Sequence, residues 1–512
     1  MAKTSLFKRA EAGQTLSDGA FRAVRDQLRF ELVDLQQRCR LNGAYPVIIV
    51  LSGVQGAGVV DSTNLLNTWM DPRWIRTHAF DTPSDEERER PLFWRAWRSL
   101  PAAGTIGLYL DGWYGEAVTA HARGRTSPAV FADHLARIKI FERALTDDGA
   151  LIVKIWLHLS QKGHRQCADA HHDDPVFGFR ASDDSWPQPA SYPKFTAIAA
   201  KGIKATDTTE APWSIVDGTD DNHRRAQVLT ILRDAMAAHE KAWLAKSKAA
   251  KKSIKRAIKA DNKNPLPKKK KIGALAKVDF SKTLGDDAYA KAFHTRQARI
   301  YDLQKKARAA GLSTIIAFEG WDAAGKGGAI RRLTYALSAR NYKVVPISAP
   351  SDEERAHHYL WRFWRHLSRD GHITLFDRSW YGRVLVERVE HLTAENAWTR
   401  AYDEINAFEA ELAAHGTLLL KFWLHIDNDE QLRRFKEREK TAYKRWKITD
   451  DDWRNREKWN RSWVAVDEML ARTSTPTAPW HVIPANDKSF ARIKIFDIAI
   501  KALETALKGR KA

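Results

Sequence analysis

The sequence has few cysteines and no long hydrophobic run. Only Cys39 and Cys167 occur in 512 residues, and neither has a second thiol or a metal-binding spacing nearby. A disulfide framework and a zinc site are therefore not indicated. No run reaches the roughly 20 apolar residues of a membrane-spanning helix, and residues 1–13 lack the apolar core of a signal peptide. We expect a cytoplasmic protein that does not enter a membrane.

Acidic residues are outnumbered by basic ones, which gives a formal net charge of +21. Such a charge predicts a polyanionic partner, which could be nucleic acid, an acidic membrane or inorganic polyphosphate. More than half of the excess lies between Lys241 and Lys271, where thirteen Lys or Arg face one Asp. This stretch also contains Pro265 and Pro267, so its composition favours a solvated linker at residues 241–275 over a dedicated nucleic-acid-binding tail.

The most informative stretch is a glycine-rich loop between a strand pattern and a helix pattern. Ile315–Phe318 is short, apolar and β-branched, as a buried strand would be. Gly320 and Gly325 allow the backbone to turn tightly and to approach a polyphosphate, which free amides and the ammonium group of Lys326 would face. The pattern therefore predicts a phosphate-binding loop, with an ordinary strand-to-helix turn as the alternative.

Two carboxylates near this loop are candidates for a magnesium site. Gly327 occupies the position where such loops usually carry the Ser or Thr whose hydroxyl reaches Mg²⁺, so another ligand is needed. Asp322 lies inside the loop, and Asp377 follows the predicted strand Ile373–Phe376. Because parallel sheets bind ligands at the carboxyl ends of their strands, Asp377 is expected beside the loop, with Arg378 as a phosphate donor.

Further arginines are candidates for contact with phosphate. Arg383 and Arg388 lie in a charged segment that could form a mobile lid, although a static surface helix has the same pattern. Arg434 and Arg438 are one helical turn apart, which suits successive phosphates, and ion pairs with Glu430 or Glu437 are the alternative. Other predicted elements are a charged helix that Ser351 could cap and that also carries Trp361, Phe363 and Trp364, the strands Val344–Ile347, Leu418–Leu424 and Trp480–Ile483, and a final helix from Lys488.

The two halves of the chain repeat one pattern at an offset of about 267 residues, which indicates a duplicated domain. Pro83–Arg88 falls on Pro350–Arg355, and we expect domains at 1–240 and 276–512. Further matches are Trp94–Arg98 with Trp361–Arg365, Lys154–His158 with Lys421–His425, and, after a one-residue gap, Leu110–Gly115 with Phe376–Gly382.

The first copy lacks charges that the second copy carries. Val59 stands in place of Lys326 and Gln55 in place of Asp322. The gapped match places Asp111 opposite Asp377 and leaves Arg378 without an equivalent. We therefore expect the first copy to fold but to have little or no catalysis, and to serve packing, substrate capture or assembly.

The second copy resembles the polyphosphate kinase 2 family over nearly all of residues 276–512. The resemblance lies in the motifs GWDAAGKGGAI, DRSWYGRVLVERV, INAFE, RFKER, WKITDDDW and TAPWHVIPANDK, and the first half matches them in degenerate form, departing at Gln55, Val59 and Gly112. The resemblance implies an α/β fold similar to that of thymidylate kinases, with two tandem three-layer P-loop kinase-like domains, each with a parallel five-stranded sheet between helices, and a helical lid.

The resemblance also implies a reaction and its residues. The family transfers the terminal phosphate of inorganic polyphosphate to a nucleotide with Mg²⁺, and the two-copy layout is similar to members that phosphorylate nucleoside monophosphates such as AMP. Lys326 would be the loop lysine, Asp322 and Asp377 the metal-organising carboxylates, and Arg378 and Arg383 phosphate clamps. The expected partners are polyphosphate and AMP, without nucleic acid, and a homodimer is a candidate assembly.

Three alternatives remain at this point. The acceptor could be ADP or GDP, the donor could be ATP as in conventional nucleoside-monophosphate kinases, or the chain could bind polyanions or nucleic acid without catalysis. A nucleotide phosphate is already ionised at neutral pH, so phosphoryl transfer to it needs no Ser, His or Cys nucleophile and no strong general base.

Overall fold

The computed structural model describes residues 6–80, 82–172, 191–263, 273–441 and 450–510. The tetralysine Lys268–Lys271 and the beginning of the WKITDDDW motif, residues 446–449, lie outside these ranges. The chain divides into two compact units. The first comprises residues 1–83, 95–248 and 351–358, and the second comprises residues 84–94, 249–350 and 359–512.

Each unit contains one five-stranded parallel sheet with the same strand order. The order in the first unit is β2-β3-β1-β4-β5, and the order in the second is β7-β8-β6-β9-β10. The two tandem α/β domains expected from the repeat are thus confirmed. The strands are β1 (Val47–Gly53), β2 (Ile75–Ala79), β3 (Ile106–Leu110), β4 (Leu151–His158), β5 (Trp213–Asp217), β6 (Thr314–Gly320), β7 (Tyr342–Pro346), β8 (Ile373–Asp377), β9 (Leu418–His425) and β10 (Trp480–Pro484).

Helices connect the strands, as parallel strands require. In chain order they are α1 (Asp18–Leu41), α2 (Val59–Trp69), α3 (Asp85–Arg88), α4 (Trp94–Ser99), α5 (Gly115–Ala122), α6 (Pro128–Asp147), α7 (Gln161–His172), α8 (Tyr192–Thr206), α9 (Asp221–Lys263), α10 (Asp286–Ala309), α11 (Lys326–Tyr335), α12 (Asp352–Arg355), α13 (Trp361–Trp364), α14 (Val386–Val389), α15 (Glu395–Ala414), α16 (Asn428–Lys440), α17 (Asp450–Glu457), α18 (Trp459–Thr473) and α19 (Lys488–Gly509). Among the described residues, none of these helices combines the length and the apolarity needed to cross a bilayer.

The central strand of each sheet carries the core. Every residue of β1 is buried, and in β6 only Gly320 at the end is partly exposed. A strand that is buried on both faces needs cover on both sides, which explains its continuous apolar sequence. β8 and β9 flank β6, so the loop that follows β6 opens at the carboxyl edge of the sheet beside the end of β8. This is the edge at which parallel sheets bind ligands.

Two predictions about helices differ from the structure. The helix capped by Ser351 does begin there, with a capping box between Ser351 and Glu354. It ends at Arg355, however, and the aromatic residues form the separate short helix α13. The first part of the predicted linker is helical, because α9 continues to Lys263 through a stretch rich in Ala and Lys, which are strong helix formers.

The compact units also differ from the predicted domain limits. Residues 84–94 group with the second unit. The reason is visible in their contacts, since Glu89 pairs with Arg369 and the Nε atom of Arg90 donates to the carbonyl oxygen of Leu367 at 3.3 Å. The limits 1–240 and 276–512 therefore remain predictions.

Candidate active site

The loop between β6 and α11 has the predicted order of strand, loop and helix. β6 ends at Gly320, and α11 begins at Lys326. Gly325 has a φ of 110°, a left-handed conformation that favours glycine. Gly320 lies so close to β9 that a Cβ atom there would be 2.5 Å from the carbonyl oxygen of Leu424. Gly325 thus allows the turn into the helix, and Gly320 allows packing against the neighbouring strand.

The ammonium group of Lys326 lies against the loop itself. Its Nζ atom donates hydrogen bonds to the carbonyl oxygens of Gly320, at 2.7 Å, and of Trp321, at 3.2 Å. Since both acceptors belong to the loop, the side chain fixes the loop as well as supplying a positive charge at the start of α11. A substrate phosphate at this helix start would meet the charge and the free amides together.

Charged side chains of both signs surround Lys326. Burial lowers the pKa of Lys326, and the guanidinium group of Arg378 lowers it further. The carboxylates of Asp322, Asp377 and Glu319 act in the opposite direction and favour the charged form. The structure therefore brings the predicted lysine, arginine and two aspartates into one electrostatic cluster, together with a third carboxylate that the sequence analysis missed.

All three oxygen atoms of Asp322, the two of the carboxylate and the backbone carbonyl oxygen, accept a hydrogen bond. Its Oδ1 atom accepts from Arg378 at 3.3 Å, and its Oδ2 atom accepts from the Nδ2 atom of Asn455 at 2.9 Å. Its backbone carbonyl oxygen accepts from Gln431 at 3.1 Å. The carboxylate is mostly buried, with 17% of the side chain exposed. Asp322 is thus fixed in orientation by residues from three different elements.

Asp377 lies at the end of β8, as predicted, and pairs in register with Phe318 of β6. A Cβ atom built on Gly327 would lie 3.8 Å from the Oδ2 atom of Asp377. The carboxylate therefore stands next to the position where a loop hydroxyl would normally be. In the part of the chain that the structure describes, no hydrogen bond donor occupies this carboxylate, so it is free to bind a metal ion or its water.

Arg378 has an unusual backbone conformation. Its φ is 66°, in the left-handed region that residues with a side chain seldom adopt, and its backbone N–H donates to the carbonyl oxygen of Phe318 at 3.0 Å. Such strain is typical of functional sites. The conformation directs the guanidinium group to Asp322, and 54% of the side chain remains exposed to a ligand.

Glu319 is a buried carboxylate that the sequence analysis did not single out. Its Oε1 atom accepts hydrogen bonds from the backbone N–H of Ser379, at 2.7 Å, and from the hydroxyl of the same residue, at 2.8 Å. Burial raises the pKa of Glu319, and the charge of Lys326 opposes that shift. Glu319 thus ties the end of β6 to the segment after β8. The signal that could have revealed it is the change to Ser52 in the first copy.

The donor set fits a magnesium ion that is bound together with substrate phosphates. Among the described residues, no group of three or more His, Cys, Asp or Glu side chains is arranged to hold a metal ion. Asp322 and Asp377 supply two carboxylates near Lys326. Mg²⁺ in phosphoryl-transfer sites usually takes one or two carboxylates and completes its shell with phosphate and water.

Arg383 does not reach this cluster through any contact that the structure describes. It is the last residue of a 3₁₀ turn, pairs with Glu387 at 3.0 Å, donates to Thr393 at 3.1 Å and stacks over the ring of Tyr359 at 4.4 Å. Its Nε atom is buried and lacks a hydrogen bond partner within the described residues. Its predicted role as a phosphate clamp on a lid therefore remains a prediction.

Arg434 contacts backbone carbonyl oxygens of the loop and of the segment after β10 in this structure. Its guanidinium group donates to the carbonyl oxygens of Ala323 and Ala324 in the loop and of Ala485 and Asn486 after β10, at 2.6–3.0 Å. It also pairs with Glu430 at 2.5 Å, which is the alternative that the sequence allowed. Only 3% of the side chain is exposed. These contacts support the loop, and the predicted contact of Arg434 with phosphate stays a prediction.

Arg438 is partly exposed on the same helix. Its predicted contact with phosphate stays a prediction.

The strand registers correct the gapped alignment of the two copies. Leu110 pairs with Leu51 at the end of β3, just as Asp377 pairs with Phe318 at the end of β8. Leu110 is therefore the equivalent of Asp377, and no gap is needed. Asp111 occupies the position of Arg378.

The backbone at Asp111 confirms this equivalence. Its φ is 56°, compared with 66° for Arg378, and its N–H donates to the carbonyl oxygen of Leu51 at 2.8 Å in the same way. Burial raises the pKa of Asp111 to about 7, an effect that the nearby hydroxyl of Ser52 opposes. The first copy thus has an acid where the second has an arginine, and it lacks both aspartates of the second copy. This difference is larger than the sequence indicated.

Both copies bury the same ion-pair network behind the segment that follows the third strand. In the second copy, Lys421 donates to Glu409 at 2.7 Å, to the hydroxyl of Tyr381 at 3.0 Å and to the carbonyl oxygen of Thr473 at 2.7 Å, and Glu409 also accepts from Trp380 at 3.0 Å. The equivalent residues of the first copy are Lys154, Glu142, Tyr114, Thr206 and Trp113. A network that persists where the site charges are lost serves the fold.

Replacing Lys421 with methionine is expected to destabilise the second unit by about 3–5 kcal/mol, because the buried carboxylate of Glu409 loses its partner. Urea unfolding of the full chain, followed by tryptophan fluorescence, measures the loss. Adding Glu409→Gln should restore part of the stability, since the amide keeps an acceptor for Tyr381 without a charge. Equal losses in the single and double variants would show that the ion pair is not the cause.

Comparisons with known proteins identify the family of the chain. The model of the family described as Polyphosphate kinase 2 matches residues 15–243 and again residues 283–511. The chain is 42% identical over 509 residues to a polyphosphate:AMP phosphotransferase of Pseudomonas aeruginosa, covering 99% of this chain and 100% of that one. It is 40% identical to a protein of the same name from Pseudomonas syringae pv. tomato, over 98% and 99% of the two chains.

A solved structure has the same overall architecture. A crystal structure from Pseudomonas aeruginosa described as a polyphosphate kinase 2 superposes with a TM-score of 0.85 at 41% identity, covering 98% of this chain and 99% of that chain. Because the family model matches both copies and the relatives are similar over their full length, the chain belongs to the polyphosphate kinase 2 family.

Proposed function

We propose that this chain transfers the terminal phosphate of inorganic polyphosphate to AMP, forming ADP, at the site around Lys326 in the second unit. The observation that carries the proposal is the cluster of Lys326, Arg378, Asp322 and Asp377 at the carboxyl edge of the sheet. The full-length similarity to polyphosphate:AMP phosphotransferases supports the choice of donor and acceptor.

The reaction needs charge neutralisation and alignment more than acid-base chemistry. A phosphate oxygen of AMP attacks the terminal phosphorus of polyphosphate, and the bond between that phosphorus and its bridging oxygen breaks. The shortened polyphosphate keeps the bonding electrons as an ionised phosphate. No proton has to be removed from the acceptor, which agrees with a site built from cations and metal-binding carboxylates.

Lys326 and Arg378 would share the charge of the transferring group. The ammonium group of Lys326 is fixed by two loop carbonyl oxygens, so little reorganisation is needed when phosphate arrives. Arg378 is half exposed and is anchored by Asp322, which leaves its other nitrogens available. When bound beside Asp322 and Asp377, Mg²⁺ would supply further neutralisation of phosphate charge.

The first copy lacks every charged group of this arrangement. Val59, Gln55 and Leu110 replace the lysine and the two aspartates, and Asp111 places a carboxylate where Arg378 would meet phosphate. An acid at this position supplies no positive charge for phosphate, so we infer that residues 1–240 have little or no catalysis of their own. Packing, substrate capture and assembly are the roles that we propose for them.

The proposal is tested by analysing nucleotide products in buffer free of ATP. The purified full chain is incubated with Mg²⁺, polyphosphate and one of AMP, GMP, ADP or GDP. We expect ADP from AMP, with GMP as a slower acceptor. Product from ADP alone would favour the diphosphate kinase alternative, and a need for ATP would contradict polyphosphate as the donor. Binding of polyphosphate without any product would favour a non-catalytic protein. A cytoplasmic location and a homodimer remain predictions from the sequence.

A further inference from the structure

Helix α17 and the start of α18 lie against the phosphate loop. The Nδ2 atom of Asn455 donates to the Oδ2 atom of Asp322 at 2.9 Å. One helical turn later, the ring of Trp459 stacks on that of Trp321 with centroids 3.9 Å apart and an interplanar angle of 18°. Asn455 and Trp459 thus contact two successive residues of the loop. We refer to these two residues as the α17–α18 latch.

The latch is itself anchored to neighbouring elements of the second unit. Arg456 donates to the carbonyl oxygen of Asn428 at 2.7 Å and to the side chain of Gln431 at 3.2 Å. Lys458 pairs with Glu390 at 2.5 Å. Since Gln431 also donates to the backbone of Asp322, the loop and the latch share one support on α16.

The stacking contact of Trp459 offsets an unsatisfied hydrogen bond donor on the same side chain. The Nε1 atom of Trp459 is buried and has no hydrogen bond partner within the described residues, although a buried indole N–H usually finds one. A smaller apolar side chain would avoid the cost of burying an indole N–H without a hydrogen bond partner. The stacking contact with Trp321 is the gain that the structure offers in exchange.

The first copy, which has lost the site charges, has also lost the stacked pair. The equivalents of Trp321 and Trp459 are Val54 and Tyr192. The hydroxyl of Tyr192 bonds instead to the carbonyl oxygen of Leu159. The buried Lys–Glu network persists in both copies, whereas the stack occurs beside the charged loop. The stack is therefore present in the copy that has the charged site and absent in the copy that lacks it. Since both copies have the same fold, we associate the stack with the site.

We propose that Asn455 is a positioning residue that orients the carboxylate of Asp322 for a divalent cation. The Trp321–Trp459 stack holds Asn455 in place. The inference rests on the proposed function. The loop has no hydroxyl after Lys326, so the direction of the Asp322 carboxylate matters more than in a loop with Ser or Thr. With Oδ2 held by Asn455, the remaining lone pairs of the carboxylate keep a fixed direction. Partners that orient a metal ligand in this way are typically worth 10–100-fold in metal affinity or activity.

The test uses Mn²⁺ alone as the probe, titrated into the full chain and followed by electron paramagnetic resonance. Asn455→Leu removes the amide at similar size, and we expect the Mn²⁺ dissociation constant to rise about 10–100-fold. Asn455→Gln, which keeps an amide on a longer stem, should fall between that variant and the wild type. Asn406→Leu is the control. Asn406 also donates its amide to a neighbouring helix, at the carbonyl oxygen of Arg472, and within the described residues it makes no hydrogen bond to the loop.

Near-ultraviolet circular dichroism of the stacked tryptophans reports whether each variant retains the fold around the loop. Trp459→Leu should lose this signal and also weaken Mn²⁺ binding, and Trp459→Phe should recover part of the binding. If Asp322→Asn weakens Mn²⁺ binding while Asn455→Leu matches the wild type, the latch is wrong and the metal assignment stands. If Asp322→Asn also matches the wild type, or the wild type binds no Mn²⁺, the metal role of Asp322 fails as well.

Discussion

Replacing Lys326 with alanine is expected to lower kcat for ADP formation by about a thousandfold, the upper end of the loss seen when one preorganised charge donor is removed. The variant loses the ammonium group that we propose faces the transferring phosphate, and it also loses the two hydrogen bonds to Gly320 and Trp321 that hold the loop. The initial rate with AMP, polyphosphate and Mg²⁺ in ATP-free buffer measures the effect. Lys326→Gln keeps a donor without the charge, and it should recover little of the rate if the charge is the larger contribution.

The repeat supplies a matched control at the equivalent position of the first copy. Val59 begins α2 as Lys326 begins α11. Val59→Ala should leave the rate unchanged, because no charge is lost and the first copy is proposed to contribute little or no turnover. A large loss with Val59→Ala, or activity retained in Lys326→Ala, would place the chemistry elsewhere in the chain.

The elements around the loop could be predicted from the sequence because their signals are local. β6 is an apolar β-branched run that ends at a glycine, and the edge of the sheet where Asp377 lies follows from the rule that parallel strands end on one side. The helical caps followed from the same kind of information, since the Ser351 capping box needs only Ser and Glu three residues apart.

The structural equivalence of Asp111 and Arg378 could not be predicted by matching residue types in the sequence. Aligning one Asp with the other required a gap, and the gap adds one identical residue over residues 110–115. The strand register decides otherwise, because Leu110 and not Asp111 ends the ladder, and both Asp111 and Arg378 share a left-handed backbone. Sequence identity shows which residue types the two copies share. The strand register and the backbone conformation show which positions are equivalent.

Arg434 and Glu319 show a second limit of sequence reasoning. Helical spacing places Arg434 and Arg438 on one face of α16, but it does not say whether that face meets substrate or protein. The carbonyl oxygens around Arg434 come from loops distant in the sequence. Glu319 resembled the polar end of a strand, and only the fold shows that it is buried against Ser379.

The helical part of the predicted linker has a different cause. The charge density and the prolines of residues 241–275 favour a solvated linker. Residues 241–263, however, lie before the first proline and consist largely of good helix formers. A highly charged, solvent-exposed stretch can still form a helix when it consists largely of Ala and Lys. The prolines lie outside the described residues, and the linker limits stay predictions.

Replacing Asp377 with asparagine is expected to cost several kcal/mol of barrier, or about a thousandfold in kcat, because this carboxylate has no hydrogen bond donor among the described residues and is a proposed metal ligand beside the start of α11. The Mg²⁺ concentration for half-maximal rate should rise in parallel. The control is Asp111→Asn, which removes a carboxylate from the first copy and should leave the rate unchanged. A comparable loss in Asp111→Asn would mean that the first copy takes part in the chemistry.

A second substitution tests the geometry behind this expectation. Asp377 Oδ2 lies 3.8 Å from a Cβ atom built on Gly327, whose backbone is not in the left-handed region, so serine can be placed there without strain. Gly327→Ser in the Asp377→Asn background returns a hydroxyl to the position that other phosphate loops use for the metal. We expect it to recover at least about tenfold of the lost rate and to lower the Mg²⁺ requirement. If the double variant is no better than Asp377→Asn alone, the carboxylate does not replace the missing hydroxyl, and its effect on the rate must arise from its charge near Lys326.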